Sequence, residues 1–222
     1  MPILSAVIIT KNEATNIARC IQSLNGLVAE IIIVDAFSTD DTVQIAKNLG
    51  ARVVQKEWDG YSQNKNYGNQ LAKNDWIISI DADEALTEEL KANLQQLTLT
   101  ENTVYSLNRL NNYCGQWIKY CGWHPDWNIR LFNRKAAQWK GDFVHEKLTF
   151  PVSTKIVRLE GLLHHYSYQN SADHWHRMER YAQLSAQQLF QDGRKATFIK
   201  LRLAPIARFL RTYFLKLGFL DG

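Results

Sequence analysis

An α/β fold, with a mostly parallel central sheet flanked by helices and a C-terminal helical basic segment, is predicted on three observations. Apolar, β-branched runs recur through the first hundred residues, a helix-like stretch follows each of the early ones, and several of the runs end in a polar cluster. Strand, helix, strand in this rhythm builds parallel pairs through right-handed crossovers. In such sheets ligands bind beyond the carboxyl ends of the strands, so the polar clusters are the first place to look for chemistry.

The elements follow in order. Ile3 to Thr10 is a continuous apolar run, the pattern of a strand buried on both faces. Asn12 to Leu24 places Ile17, Ile21 and Leu24 at helical spacing before the stop signal Asn25-Gly26. Glu30 to Asp35 is the second buried strand; Ser38, Thr39 and Asp40 then offer caps for a helix running to Gly50. Arg52 to Lys56 is a short third strand, and Trp76 to Ile80 a fourth that closes on Asp81. After about Thr100 the periodicity weakens and Trp, Tyr, Gly and Asn become frequent. Strands are expected at Thr103 to Leu110, Asn128 to Asn133 and Phe143 to Phe150. Ser171 to Gln191 is a helix capped by Ser171, with Trp175, Met178, Ala182 and Leu189 on its apolar face. The chain therefore divides into residues 1–100, 101–193 and 194–222.

Composition bounds the function. With 45% hydrophobic and 22% charged residues the chain can bury a core, which excludes a disordered protein. The longest stretch without Asp, Glu, Lys or Arg runs from Gly161 to Ala172, too short to cross a bilayer. The start, MPILSAVIITKNE, lacks the basic segment and cleavage site of a signal peptide. Three cysteines, Cys20, Cys114 and Cys121, do not make a disulfide scaffold and fit a reducing cytosol. Cys114, Cys121 and His124 do not match zinc-ligand spacing.

The strongest local signal is Asp81-Ala82-Asp83-Glu84 at the end of a buried strand. Three carboxylates in four residues repel one another unless cations or hydrogen-bond donors neutralise them. The i, i+2 spacing puts Asp81 and Asp83 on one side of an extended chain, a grip for Mg²⁺ or Mn²⁺ shared with substrate phosphates. Thr10-Lys11-Asn12-Glu13 and Asp35 to Asp40 end the first two strands and are expected at the same sheet edge.

With these motifs on the page, the sequence resembles the inverting family 2 glycosyltransferases of GT-A fold, a nucleotide-sugar-binding fold, and within them the lipopolysaccharide inner-core glucosyltransferases that add glucose to heptose. The matching stretches, in order, are AVIITKNEATNIARCIQSL, IIIVDAFSTDDT, QNKNYG, DWIISIDADE, GWHPDWNIRLFNR, GDFVHEKL and HHYSY. The resemblance implies a UDP-sugar donor, UDP-glucose first, bound by residues 1–100, and an acceptor and base supplied by residues 101–193. Carried over by position, Thr10, Glu13, Asp35, Lys65 and Asp81 bind the donor nucleotide. Asp83, with Asp81 and His165, holds the divalent metal. His145 shares the ambiguity of His165 between ligand and structural residue.

Inversion needs a base that takes the acceptor hydroxyl proton, and two carboxylates outside the metal cluster are candidates, Glu146 first and Asp126 second. Asp126 equally suits binding of acceptor hydroxyls, and Trp123, His124 and Arg130 are the expected acceptor-side residues. Trp117, Trp123, Trp127 and Trp139 offer flat faces for sugar rings. A nucleotidyltransferase is disfavoured because ITKNEATN lacks a glycine-rich triphosphate loop.

The net charge of +4 is uneven. Residues 194–222 carry seven Lys/Arg against Asp221, leaving the rest of the chain slightly acidic. Pro205 suits the first turn of a helix, and Ile199, Leu203, Ile206, Leu210, Phe214 and Leu217 form one stripe from which Lys200, Arg208, Arg211 and Lys216 fall away. Such a helix lies on an anionic membrane surface. The acidic remainder and the absence of a binding module speak against nucleic acid. The resemblance implies a lipid-linked saccharide acceptor and a cytoplasmic protein, peripheral on the inner membrane.

Overall fold

The computed structural model describes residues 3–141 and 146–221; His145 and the first part of the strand expected at Phe143 to Phe150 lie outside the described residues. Two compact units emerge, one of residues 1–109 and 126–165, the other of residues 110–125 and 166–222. The sequence division at residue 100 falls within the first unit and that at 193 within the second.

The first unit starts with β1 (Ser5–Thr10), α1 (Ile17–Leu24), β2 (Glu30–Asp35), α2 (Thr42–Asn48), β3 (Arg52–Gln55), α3 (Tyr61–Leu71) and β4 (Trp76–Asp81). The four strands form the parallel order β3-β2-β1-β4, with Thr10 opposite Asp35 and Ile9 opposite Asp81. This register is what brings the three polar clusters to one edge. After β5 (Glu84–Leu86) and α4 (Glu88–Gln96) come β6 (Thr103–Tyr113), β7 (Gln116–Ile118), β8 (Asp126–Asn133), β9 (Gln138–Lys140), β10 (Lys147–Thr149) and β11 (Lys155–Tyr168). The sheet continues from β4 through β8, β6 and β11 to β5, with β8 antiparallel to both β4 and β6. β9 and β10 form a separate two-stranded sheet.

Strand alternation sends one side-chain set to each face. Ile8, Ile78, Ile80 and Leu131 pack with Ile17, Ile21, Leu90 and Leu94 on one side, while Val7, Ile32, Ile77, Phe132 and Trp139 pack on the other, against Leu71 and Ala72. Each such buried Leu, Ile or Phe contributes about 1.5–3 kcal/mol. The second face is closed by α3, which packs on β1 and β2. Gly68 allows this approach: a Cβ there would run into the Val7 side chain and meet Val34 Cγ2 at 3.1 Å.

Several expected boundaries move, each for a physical reason. α1 begins at Ile17 because residues 11–16 form a loop with Asn12 in the left-handed region, φ 56°. That loop is fastened to the one after β2: Asn12 N–H donates to Ser38 Oγ, Glu13 N–H to Thr42 Oγ1 and Ala14 N–H to Asp40 Oδ2. Of the residues expected to cap the next helix, Ser38 is engaged by Asn12, while Asp40 serves both sides, its Oδ1 accepting the Thr42 N–H at 3.1 Å, and α2 begins at Thr42, behind Asp41.

In the second unit α5 spans Ser171–Gln191 as expected, but the capping side chain is Asn170, whose Oδ1 accepts the Asp173 N–H at 2.9 Å. The expected apolar face of α5 stands open, with Trp175, Met178 and Leu189 exposed. The expectation that Pro205 starts a helix is corrected: α6 runs Phe198–Leu210 with Thr197 as its cap, so Pro205 lies inside it. The stripe is also interrupted, because a π-helical turn occupies Arg211–Leu215. Asp221 is tied down, accepting from the Lys119 and Tyr120 N–H groups at 3.0 and 2.8 Å. Among the described residues no helix is long and apolar enough to cross a membrane.

Candidate active site

At the carboxyl edge of the parallel strands, backbone pairing fixes the starting positions and the side chains then arrange themselves by charge. Lys65, on α3, is 2% exposed. Its ammonium lies 3.3 Å from Asp81 Oδ1 and 3.2 Å from Glu146 Oε1, over the Trp139 ring at 4.6 Å. A cation this deeply buried needs such partners, because desolvation otherwise outweighs any gain. Lys65 thereby brings together Asp81, expected at the donor, and Glu146, expected as the base.

The second oxygen of Asp81 accepts from Arg130 Nη2 at 2.7 Å, and the same Nη2 contacts Glu84. Glu84 Oε2 accepts the Asp81 N–H at 2.9 Å. Burial by itself would push the Asp81 carboxyl up, but Arg130 and then Lys65 overcome this and hold it well below the usual carboxylate range. Burial likewise works against the Arg130 charge, and Asp81 and Glu84 raise its affinity for the proton instead. Arg109 continues the chain of charges, at 3.3 Å from Glu84 and 2.8 Å from Asp126. Asp126, the second base candidate, is thus held by Arg109 and also accepts from Asn128 Nδ2. The cations demanded by the crowded carboxylates are therefore Lys65, Arg130 and Arg109. Arg130, expected on the acceptor side, is 4% exposed between Asp81 and Glu84.

Asp83 has a different neighbour. Its Oδ2 lies 3.3 Å from His165 Nε2. Among the described residues no group of three His, Cys, Asp or Glu side chains gathers for a metal. A carboxylate and an imidazole in contact would nevertheless suit a divalent ion such as Mn²⁺.

The other residues expected at the donor are placed as follows. Thr10 is buried at the end of β1 with an Oγ1 that has no hydrogen-bond partner among the described residues. Asp35, opposite it, is wholly buried and accepts from the Ser38 N–H and hydroxyl and from Gln55 Nε2. Glu13 accepts from Asn16 Nδ2. Trp123 and His124 belong to the second unit, where the Trp123 ring meets Tyr113 and Tyr168. Of the other tryptophans, Trp117 packs on Tyr166, Trp127 beneath Arg158, and Trp139 on Phe132 in the core. An open groove of about 740 Å³ beside α3, lined by residues including Asn66, Arg134 and Lys140, contains none of the site residues.

Sequence reasoning missed Arg109, and it did not see that Glu84 and Arg130 pair. The signal available was the crowding of Asp81, Asp83 and Glu84, which required cations that spacing alone could not locate.

The fold has relatives among solved structures. Mannosyl-3-phosphoglycerate synthase from Rubrobacter xylanophilus superimposes with a TM-score of 0.52 at 14% identity, over 88% of this chain and 76% of that one. Glucosyl-3-phosphoglycerate synthase from Mycobacterium tuberculosis, solved with Mn²⁺, UDP and glucosyl-3-phosphoglycerate, gives 0.51 at 20% identity over 88% and 81%. In sequence the chain is 34% identical to an uncharacterized glycosyltransferase of Rickettsia typhi, over 99% of this chain and 79% of that protein. It is 28% identical to the lipopolysaccharide core biosynthesis glycosyltransferase LpsC of Rhizobium meliloti, over 95% and 80%. The family model for glycosyl transferase family 2 matches residues 5–150, which hold β1 through β10 and the Lys65–Asp81–Glu146 cluster, and the chain accordingly belongs to glycosyl transferase family 2.

Proposed function

We propose that this transferase is an inverting, metal-dependent hexosyltransferase that moves glucose from UDP-glucose onto a heptose of a lipid-linked lipopolysaccharide inner core, at the cytoplasmic face of the inner membrane. The observation that carries the reading is the single Lys65 ammonium joining Asp81, at the end of a parallel strand, to Glu146. The relative named for lipopolysaccharide core biosynthesis supports the acceptor class. The fold neighbour solved with Mn²⁺ and UDP supports the donor and the ion.

In this reading Thr10, Glu13, Asp35 and Asp81 bind the uridine and ribose, and Asp83 with His165 holds the ion. When bound, the ion supplies positive charge against the diphosphate leaving group. Glu146 takes the proton of the acceptor hydroxyl as that oxygen bonds to the anomeric carbon from the face opposite the diphosphate. The bond to the diphosphate breaks and its electron pair leaves with UDP. Lys65 orients the Glu146 carboxylate through the 3.2 Å contact. Asp126 is the second candidate; its bond to Arg109 favours a role toward acceptor hydroxyls. Trp123 and His124 keep their proposed acceptor role.

The test incubates the protein with Mn²⁺, radiolabelled UDP-glucose and a heptose-containing core acceptor. Transfer is expected, with Asp83→Ala abolishing it and Glu146→Gln lowering kcat at least about 100-fold, the usual scale for a general base. Absence of transfer from any UDP-sugar, or undiminished transfer by Asp83→Ala, overturns the reading.

A further inference from the structure

We infer that Arg130, locked by Glu84, is a positioning residue for the donor, acting through Asp81 and touching neither donor nor acceptor. The inference rests on the proposed donor role of Asp81. β8 runs antiparallel beside β4, with Leu131 opposite Ile78, and so carries Arg130 toward the end of β4 from which Asp81 projects. There three residues close a ring. The Asp81 N–H donates to Glu84 Oε2, Glu84 Oε1 accepts from Arg130 Nη2, and the same Nη2 donates to Asp81 Oδ2.

The ring does two things. By returning to the backbone N–H at Asp81, Glu84 holds the turn Asp81-Ala82-Asp83 and hence the placement of the two aspartates relative to each other. By holding Oδ2, Arg130 leaves Oδ1 to face Lys65 at 3.3 Å. Both members are shielded, Glu84 at 1% and Arg130 at 4% exposure, so their interaction is little screened by solvent. Arg130 and Glu84 also cancel one another in charge. With Arg109 at 3.3 Å as a second cation, Glu84 has the opposite charge that a carboxylate needs in the interior. The ring does not include Asp83, which faces His165 and stays available to the ion.

A residue that acts only through another loses its effect when that other residue is removed. The experiment is therefore a cycle read by titration of UDP in Mn²⁺ buffer. It compares the wild type, Asp81→Asn, the charge-balanced pair Arg130→Gln/Glu84→Gln, and the triple variant. The Gln at position 84 keeps an acceptor for the Asp81 N–H. Thermal melts establish that each is folded; if the pair is not, Arg130→Lys replaces it in the same cycle. Asp81→Asn and the pair are each expected to weaken UDP about tenfold, and the triple variant by no more than about twentyfold, where independent effects would multiply to about a hundredfold. In steady state the pair is expected to raise the KM for the donor and leave that for the acceptor unchanged. A hundredfold loss in the triple variant overturns the inference, as does a rise in acceptor KM with unchanged UDP affinity, which would place Arg130 on the acceptor side. Should Asp81→Asn bind UDP as well as wild type, the donor role of Asp81 falls and this inference with it; additivity with a normal Asp81 effect sinks the inference alone.

Discussion

Lys65 occupies a position where the packing of α3 on the sheet would ordinarily select an apolar side chain, and it is tolerated there because two carboxylates and an aromatic ring receive it. The same concentration of charge reaches Cys20 from the other side. Its Sγ donates to the Asp81 carbonyl at 3.5 Å, and burial first, then Glu84, Asp83, Asp81 and Glu13, push its thiol well up. Because the thiolate is the reactive form, a raised thiol has less of it at any given pH, and burial blocks access as well. Cys121 is also raised, by burial and by Asp221, while Cys114 is exposed. The expected outcome at pH 8 is fast labelling of Cys114, slower labelling of Cys121 with a rate that climbs at higher pH than in the unfolded chain, and labelling of Cys20 only after denaturation. Mass spectrometry of the trapped peptides checks it; rapid labelling of Cys20 in the folded protein would contradict the packing beneath the site.

The helix that carries Lys65 is the one whose pattern was hardest to read. α3 buries Ser62, Asn64, Lys65, Gly68 and Asn69, so the face turned to the sheet is polar and small and gives no apolar period of 3.6 residues. β1, β2 and β4 were legible because both of their faces are buried and largely apolar, and with them the sheet edge where Thr10, Asp35 and Asp81 meet, whereas the edge strand β3 shows only the pair Val53-Val54 between exposed Arg52 and Gln55. β11 was missed for another reason: Gly161, at φ 91°, breaks its sequence pattern although the strand runs through it, and a Cβ there would meet the Leu90 backbone N at 2.5 Å. The clustering of carboxylates was visible in the sequence, while the cations that answer them come from residues 65, 109 and 130, which only the tertiary fold brings together. Gly68 tests how α3 is seated. Gly68→Ala gains helix propensity but drives a methyl group into Val7 and Val34, an overpacking that typically costs about 1–3 kcal/mol. At about 2–4 °C per kcal/mol for a chain of this size, a fall of several degrees in Tm is expected in a thermal melt. The same displacement moves Lys65, one turn earlier, so donor affinity is expected to fall with stability. An unchanged Tm would mean that α3 is not seated by this contact.

Over the whole chain, charge and apolar exposure coincide in sequence. Residues 194–222 hold seven of the 26 Lys/Arg and one of the 22 Asp/Glu, and that one, Asp221, is spent on the Lys119 and Tyr120 N–H groups. In the same segment Ile199, Leu203, Ile206 and Phe214 are each more than half exposed, although residues 211–221 are fastened to the chain around Cys121 and do not hang free. An apolar surface so rich in cations repels a second copy of itself and suits an anionic lipid headgroup layer, which is the surface a lipid-linked acceptor presents. The interior of α6 adds Pro205, which removes one backbone donor at position 205 and costs the helix roughly 3 kcal/mol when isolated, so contact with a bilayer is also expected to raise its helicity. Co-sedimentation with vesicles of phosphatidylglycerol and phosphatidylcholine is expected to exceed that with phosphatidylcholine alone and to fall with added salt. Each Lys or Arg near an anionic surface contributes about 1 kcal/mol, so replacing Lys200, Arg208, Arg211 and Lys216 with Gln is expected to lower the partition at least about a hundredfold. UDP affinity is expected to stay as in wild type, since none of the four belongs to the donor cluster. Equal binding of the wild type to neutral and anionic vesicles, or concentration-dependent self-association that consumes the apolar surface, would remove the membrane from this account and leave the transferase with a soluble acceptor.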